Sequence, residues 1–585
     1  MPSFKINAFG GLAPRGHKAL GDGARATVAE NVKLWHGSLE PWRAPREILA
    51  SPDVACIKTM HRYECCWVAM GDACADIAES FKDCPRFFAT GHAPYPYPIV
   101  GDVPDCGNDK LCAVQWKRLG LPKPLFPLTF TAPEIVVPNN RPVKGEQLKR
   151  ETRNYIYTYV NCNGDEGAPS DPAHLGIDVD VDADANLLIP PIPATGGWDI
   201  CSVRIYRIGT GLDVTGDGSA VMGQTTGFMA EYFFVGEIDV STATPGLTQF
   251  SFLDDVPLSE VGEMNTTRHF LPPPEGLSNI TAMGNSLTLA GSVGNKIYFT
   301  DPGHYHAWSC SISLDDNVEA LVYSAGTLYA LTDGHPYAIA ERGAEVEDDC
   351  RCCRDVFRYS EPLPCISKRS AANTSTGVIW ASRDGLARMT GREAQIFTHA
   401  TLAEDDWAKL LPHTMTGIVH DGRYFGFTDA QGFIFDFVDG VYADGDVGAN
   451  SNYTTLTLTP NALFRTRDDF LYMAFGNTIA KWDDGNTYMD YRWRTKLQST
   501  ESVTNLGVAR LIFDKWDRPA DAGSSVNIKF IGDGRLKYER EVNHSKPFRL
   551  PHGRHYLNFE VELSGREPIR ELRIAGNVDE LTSST

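Results

Sequence analysis

Short apolar runs broken by glycine-rich turns recur in pairs between residues 284 and 485. The run at 284–290 goes with 296–299, 327–331 with 337–339, and 378–382 with 386–389. Two more pairs follow, 424–427 with 433–437 and 470–473 with 478–482. Each run is too short for a helix and rich in Val, Ile, Thr, Tyr or Phe, so the pattern predicts strand hairpins. Their first members begin near 286, 327, 378, 424 and 470, in steps of about 41, 51, 46 and 46 residues, the repeat length of propeller blades. One hairpin cannot bury both of its faces, whereas several stacked radially can. Cys66-Trp67-Val68-Ala69-Met70 reads as a further hairpin supplied from far upstream. The expectation is therefore a β-propeller of about six blades, closed by N-terminal strands that leave no free edge.

The same patterning marks off other units. Residues 119–127 form a Pro-rich, extended linker. Beyond it, 152–160 alternates aromatic or apolar with polar residues, the turn at 164–170 closes that strand, and 202–208, 232–237 and 249–255 supply more. This order resembles an immunoglobulin or fibronectin III-like sandwich inserted into the propeller. After the last hairpin, 491–496 opens a different segment, and 525–531 and 536–539 flank Gly532-Asp533-Gly534, a tight-turn signal. Residues 556–563 and 569–574 alternate with period two. The expected division is an N-terminal propeller portion over 1–129, the inserted sandwich over 130–262, the main blades over 263–489 and a C-terminal β domain over 490–585. Near the start, Val32, Leu34 and Leu39 bracket a turn at His36-Gly37-Ser38. The class is all-β, and one helix is expected over 401–411, with Thr401 and Glu404 as a capping box.

Charge narrows the function. A net −21, from 54 basic and 75 acidic residues, argues against a nucleic-acid-coating protein, since duplex DNA carries about one negative charge per 1.7 Å and demands local Lys and Arg. It fits plain solubility, or a surface that DNA passes without sticking. Residues 1–20 hold Lys5, Arg15 and Lys18 but no apolar run, so no signal peptide is expected. No stretch approaches the roughly 18 apolar residues of a membrane span. The 14 cysteines are irregularly spaced, with adjacent pairs at Cys65-Cys66 and Cys352-Cys353, and this predicts reduced thiols rather than a disulfide framework.

Candidate chemistry is sparse. Cys350, Cys352 and Cys353 with Cys365 offer sulfur without zinc-knuckle spacing. Asp178, Asp180, Asp182 and Asp184 suit Ca²⁺, but the alternation also describes a strand with an acidic, edge-protecting face. Asp213-Val214-Thr215-Gly216-Asp217-Gly218 opens like an EF-hand loop, yet its twelfth position is Gln224 and no helices flank it. His304 and His306 suit metal or acid–base chemistry, while Tyr305 and Trp308 beside them indicate a packed loop. Asp254-Asp255, Asp405-Asp406 and Asp483-Asp484 are chain neighbours whose side chains diverge, poor acid/base partners. Residues 21–26 match a dinucleotide fingerprint without a preceding strand. Ser382-Arg383-Asp384-Gly385 is a single imperfect sialidase Asp-box, and Trp482-Asp483 a single WD-like ending. No catalytic, cofactor-binding or metal residue is nominated, and no cofactor.

Several strings belong together: Gly10-Gly11-Leu12, Ala29-Glu30-Asn31-Val32-Lys33-Leu34, Gly37-Ser38-Leu39-Glu40-Pro41 and Tyr155-Ile156-Tyr157-Thr158-Tyr159-Val160. With them go Pro272-Pro273-Pro274-Glu275-Gly276-Leu277, Asn295-Lys296-Ile297-Tyr298-Phe299-Thr300-Asp301-Pro302 and His306-Ala307-Trp308. Leu331-Thr332-Asp333-Gly334-His335-Pro336-Tyr337, Cys365-Ile366-Ser367-Lys368-Arg369-Ser370 and Ala381-Ser382-Arg383-Asp384-Gly385-Leu386 complete the set. Taken together, these strings resemble the nozzle, or tail tubular protein B-like, family of short-tailed bacteriophages. The resemblance implies a non-enzymatic structural virion protein made in the bacterial host cytoplasm and placed in the virion tail. Its expected partners are copies of itself in a ring, typically a hexamer, a portal-adaptor (head-to-tail connector) protein above, and tail fibre or other tail proteins outside. Genomic DNA would transit the lumen without specific binding, and the chain would insert in no membrane. Lumen carboxylates would repel phosphate within about 8 Å at physiological salt. The alternative expectation is a propeller glycan hydrolase or lyase acting on host surface polysaccharide, or a carbohydrate-binding propeller scaffold. Clustered carboxylates and aromatic platforms in an axial pocket would mark that alternative.

Overall fold

A computed structural model gives the architecture. It describes residues 4–583 except 13, 15–24, 35–36, 81–84, 131–149, 174–176, 181–183, 212, 215–219, 222–230, 258–259, 285–286, 342–353, 392, 400, 437–452, 515–524 and 552–555. The regular secondary structure of the described residues is nearly all strand. Seven small sheets succeed one another, numbered here as blades 1–7. Blade 1 comprises Thr59–Tyr63, Cys66–Met70 and Lys110–Leu111, and blade 2 Asp76–Glu79, Arg86–Thr90, Ile99–Asp102 and Lys117–Arg118. Blades 3 and 4 begin at Ser278–Met283 and Val318–Ser324, blades 5 and 6 at Ala372–Asn373 and Thr416–His420, and blade 7 at Ala462–Arg465. The first strand of each blade lies beside the first strands of the blades before and after it, and those of blades 7 and 1 also meet. The arrangement is propeller-like.

The cores explain why the apolar runs are nearly continuous. Seven buried clusters lie between consecutive blades, including one between blades 7 and 1. In Gly377–Ser382 of blade 5, Val378 and Trp380 face blade 4 while Ile379 and Ala381 face blade 6. Both sides of the pleat are thus covered, as period-two geometry requires of a sheet stacked on both faces. At about 25 cal/mol per Å² of buried apolar surface, no blade could hold its two faces alone.

The count differs from the sequence expectation of about six. The extra sheet is blade 2, whose strands alternate with Pro-rich and Cys-containing loops that hide the hairpin period. Blade 7 takes its fourth strand, Arg46–Ala50, from the N-terminal side, antiparallel to Thr478–Lys481. Residues 4–41, which the sequence groups with the propeller, instead pack mostly with the C-terminal strands. Phe4–Ile6 pairs with Ile569–Ala575, Ala26–Glu30 pairs with Tyr491–Thr495, and one core joins Ile6, Phe9, Ala29 and Leu39 to Trp493, Ile528 and Leu563. Ala26–Glu30 also bridges to Tyr453–Leu456, so the sheet of blade 6 runs on into the C-terminal strands. Val526–Gly532 and Arg535–Val542 form a hairpin whose turn places Asp533 and Gly534 at positive φ, 49° and 75°. Glycine meets the second at no steric cost.

Between blades 2 and 3 lies a separate two-sheet sandwich. Arg150–Asn161 pairs with Ile200–Gly211, which pairs with Phe233–Asp239, and Ala185–Ile189 pairs with Phe250–Asp254 in the facing sheet. Tyr155, Tyr157, Leu187, Ile189, Val203 and Ile205 share its core. The expected helix is present but shorter, Glu404–Lys409, and Ala403 stands at its N-cap without a side-chain bond. The N–H groups of Thr401 and Leu402 are already turned back to Thr398 O, so the helix starts beyond the expected capping box.

The cysteines depart most from expectation. Cys65–Cys106, Cys66–Cys112 and Cys162–Cys201 form disulfides, and Cys310 is also disulfide-bonded. The first two staple a strap from the loop after Ile99–Asp102 onto blade 1, where Lys110–Leu111 runs parallel to Cys66-Trp67. Adjacent cysteines mislead in sequence because each pairs with one end of a distant loop.

Candidate functional site

The first strands of the seven blades surround an axial cavity of about 360 Å³. One turn dominates it. Ser370 Oγ donates to Ser367 O at 2.6 Å and accepts from the Ala381 N–H at 2.9 Å, while Tyr424 Oη donates to Ser370 O at 2.8 Å. Tyr424 reaches that carbonyl past Gly417, where any Cβ would collide with its hydroxyl. Ser367 Oγ adds a bond to Met415 O at 2.7 Å. So fixed, the 3₁₀ turn Lys368–Ser370 points two cations across the axis. Lys368 Nζ lies 2.5 Å from Asp76 Oδ2, which also accepts the Asn279 N–H at 3.1 Å. Arg369 Nη2 donates to Thr59 Oγ1 at 2.6 Å, to Ala73 O at 2.7 Å and to Ala75 O, and its Nε to Ala73 O at 3.0 Å. Blade 5 is thereby tied to blades 1 and 2 across the cavity.

The other end of the first strands is bridged as well. Arg465 donates to Val419 O at 2.7 Å and Asn373 Oδ1 at 3.1 Å, linking blades 7, 6 and 5. Glu79 meets His61 at 3.1 Å and pairs with Arg467. Burial raises the Glu79 carboxyl, but the hydrogen bond from His61 and the charges of His61 and Arg467 outweigh it and hold the group below its ordinary value. Among the residues lining the cavity, Asp76 is the one carboxylate and Tyr323 the one aromatic side chain. Glycosidic hydrolysis ordinarily uses two carboxyl groups flanking the bond, about 5–9.5 Å apart. This cavity instead brings together cations and one ion-paired acid.

The residues singled out by sequence are dispersed. His306 is buried at the junction of blade 3 with the inserted sandwich, its Nε2 2.8 Å from Glu166 O and its Nδ1 3.6 Å from Asp165. Arg86 of blade 2 binds Asp165 at 2.9 Å, so the 164–167 turn that closes a sandwich strand is also its dock on the blades. Burial pushes His306 below its ordinary pKa against the pull of Asp165. Burial also works against the Asp165 charge, but His306, Asn161 and Arg86 together hold that carboxyl low. His304 packs against Phe270 with ring centres 4.8 Å apart and planes tilted by 40°. A second latch places Arg118 3.4 Å from the Trp198 ring centre, with its Nη1 bonded to Gly196 O at 2.7 Å, next to Lys117–Asp199 at 2.7 Å.

The acid pairs diverge as expected. Asp254 is buried against Arg207 and Tyr155 while Asp255 is exposed, and Asp406 binds Lys409. Asp483 holds Lys33 and the Arg43 N–H, and Asp484 holds Arg46, all at the closure of blade 7. Ser382 and Gly385 flank a two-residue turn, with Ser382 O accepting from Trp407 Nε1 at 3.0 Å. Cys365 is buried and bonds Ser367 O at 3.4 Å, and burial pushes its thiol up to about 12. Cys350, Cys352 and Cys353, the dinucleotide-like glycines Gly21 and Gly23, Asp182 and the 215–218 loop lie outside the described residues, as do the side chains of Asp178 and Asp180. Cys162, Asp199 and Cys201 cluster, but the two sulfurs are joined to each other and Asp199 is paired with Lys117. Sequence reasoning missed Lys368 and Arg369 as a bridge. The available signal was two adjacent cations in a serine-flanked turn of an acidic chain.

No family model matches the chain, and no curated protein matches it. Solved structures similar to it include Kluyveromyces lactis Hsv2, 12% identical over 54% of this chain and 91% of that one, with a TM-score of 0.23. The WD40 domain of SCAP from fission yeast is 11% identical over 57% and 92%, at 0.22. PorZ of Porphyromonas gingivalis, a bacterial surface component of the type-IX secretion system, is 11% identical over 81% and 76%, at 0.23. Scores this low carry no argument about function.

Proposed function

We propose that this chain is a structural component of a short-tailed bacteriophage tail, of the nozzle kind, and acts without catalysing a reaction. In this reading the seven blades form one closed propeller used as a rigid wall. The fibronectin-like sandwich and the composite terminal sheets are docking modules for neighbouring copies, a portal-adaptor above and tail fibres outside. The observation that carries the reading is where the family-like strings fall. Gly37-Ser38-Leu39 forms reciprocal backbone bonds with Ile569, Cys365-Ile366-Ser367-Lys368-Arg369-Ser370 builds the axial bridge, and His306-Ala307-Trp308 seats the sandwich. These are joints of the framework, and none converges on a cleft of reactive groups.

A cavity of about 360 Å³ is the size of a small-molecule pocket and is crossed by the Lys368–Asp76 ion pair and the hydrogen bonds of Arg369, so DNA cannot pass through the axis of one chain. The conduit must be formed between copies, where carboxylates facing the lumen would keep phosphate from sticking. Negative-stain imaging of the purified chain, alone and mixed with its portal-adaptor, tests this. Closed rings with a lumen wide enough for a duplex are expected. Monomers under both conditions, together with depolymerisation of host polysaccharide by the purified chain, would overturn the reading in favour of the glycan enzyme.

A further inference from the structure

The axial bridge leaves positive charge unspent. Lys58, Lys368 and Arg369 all line the cavity at the end where the first strands begin, against the single carboxylate of Asp76. Lys368 is committed to Asp76. Lys58 makes no ion pair with any described residue, and its backbone N–H is bonded to Met70 O at 2.9 Å, which fixes the base of its side chain. Arg369 directs Nε and Nη2 at backbone carbonyls and Thr59, while its Nη1 group has no hydrogen-bond partner among the described residues. Three cations against one acid leave a local excess of two positive charges in a chain whose total is −21. The rest of the wall mixes neutral polar groups, Asn279, Thr281 and Thr416 among them, with apolar ones, so it adds no second carboxylate to compete for the cations.

We propose that this end of the cavity binds a small, multiply charged oxyanion, of phosphate or carboxylate type, between Lys58 and the free Nη1 edge of Arg369. The two N–H groups of Nη1 remain to donate to anion oxygens, and Lys58 supplies a mobile point charge in the same cavity. A bound anion would add a further link between blade 5 and blade 1, beside Arg369–Thr59, and so would stabilise the folded chain by mass action. The site belongs to a single chain and does not depend on assembly into a ring.

The test is calorimetric titration of the full chain with inorganic pyrophosphate and, separately, with citrate, at matched ionic strength. One saturable site per chain is expected for at least one anion, and the two arms show which oxyanion type is preferred. Lys58→Glu should weaken binding by about ten- to a hundredfold, the usual worth of a charge-assisted contact. Lys546→Glu makes the same change in net charge on the exposed far end of the C-terminal strands and should leave binding intact. Circular dichroism checks that Lys58→Glu is folded, and Lys58→Met replaces it if it is not. Absence of saturable binding by both anions, or equal weakening by the two charge reversals, would overturn the site while leaving the tail assignment untouched.

Discussion

The inserted sandwich and the ring of blades place charge differently. In the sandwich a carboxylate sits inside the core, where Asp254 binds Arg207 at 2.6 Å and Tyr155 Oη at 2.5 Å, with Arg153 at 3.8 Å. All four side chains are buried. Burial and the adjacent carboxylate push the Tyr155 hydroxyl above its ordinary pKa, keeping it a proton donor. Among the blades the seven inter-blade clusters are apolar or aromatic, and the ion pairs at the axis and at the closure of blade 7 are partly exposed. A stacked ring repeats one interface and gets its register from the repeat. A lone two-sheet sandwich has no repeat, and a buried ionic cluster that fits one alignment only can supply that specificity, at the cost of desolvation.

That contrast can be broken most severely at Asp254. Asp254→Asn should destabilise the sandwich by about 3–5 kcal/mol, because Arg207 is left buried without its counter-charge. Chemical denaturation followed by limited proteolysis would locate the loss, and a loss below 1 kcal/mol would show the cluster to be incidental. Next come the staples of blade 1. Cys106→Ser with Cys112→Ser should cost about 2–5 kcal/mol and expose the 103–112 strap to protease under non-reducing conditions. An unchanged melting temperature would mean that the short parallel pairing alone holds the strap.

The junction of the two regions should respond to acid. His306 has its pKa lowered in the folded chain, so the unfolded or undocked state takes up a proton first as pH falls. The linked stability is complete above the ordinary histidine value of 6.5 and is lost as pH drops from there toward the lowered folded value, by at most about 1.4 kcal/mol per pH unit. Thermal melts of the wild type and of His306→Gln between neutral and mildly acidic pH would test the sign, since the variant should show a flatter dependence. The axial bridge should matter less. Lys368→Met removes a partly exposed ion pair and should cost about 1 kcal/mol or less. Least demanding is thiol reactivity. Exposed Cys74 should alkylate readily in the native chain and Cys365, buried with its thiol raised, should not.

Much of the fold was written in local pattern. The hairpins near 327, 378, 424 and 470 form where period-two apolar runs meet Gly-containing turns, because both faces of such strands must be covered. The sandwich strands around Tyr157 and Ile205 and the Asp533-Gly534 turn were equally legible. Blade 2 was not, since its strands are separated by loops whose Pro and Cys residues resemble linker. The shared core of residues 4–41 with 491–574 was not either, because nothing local in Ile6 or Phe9 says that Leu572 or Trp493 will cover it.

The chain by itself therefore determined the all-strand class, the repeat and the scarcity of conventional catalytic motifs, all of which depend on residues close in sequence. Tertiary structure decided how many sheets stand in the ring, which cysteines join, and that Lys368 and Arg369 reach Asp76, Thr59 and Ala75. Those outcomes depend on residues brought within bonding distance from far along the chain, by 41 positions for Cys65 and Cys106 and by 310 for Arg369 and Thr59. Short-range periodicity carries no information about such pairs, because the free energy that selects them comes from packing between segments distant in sequence.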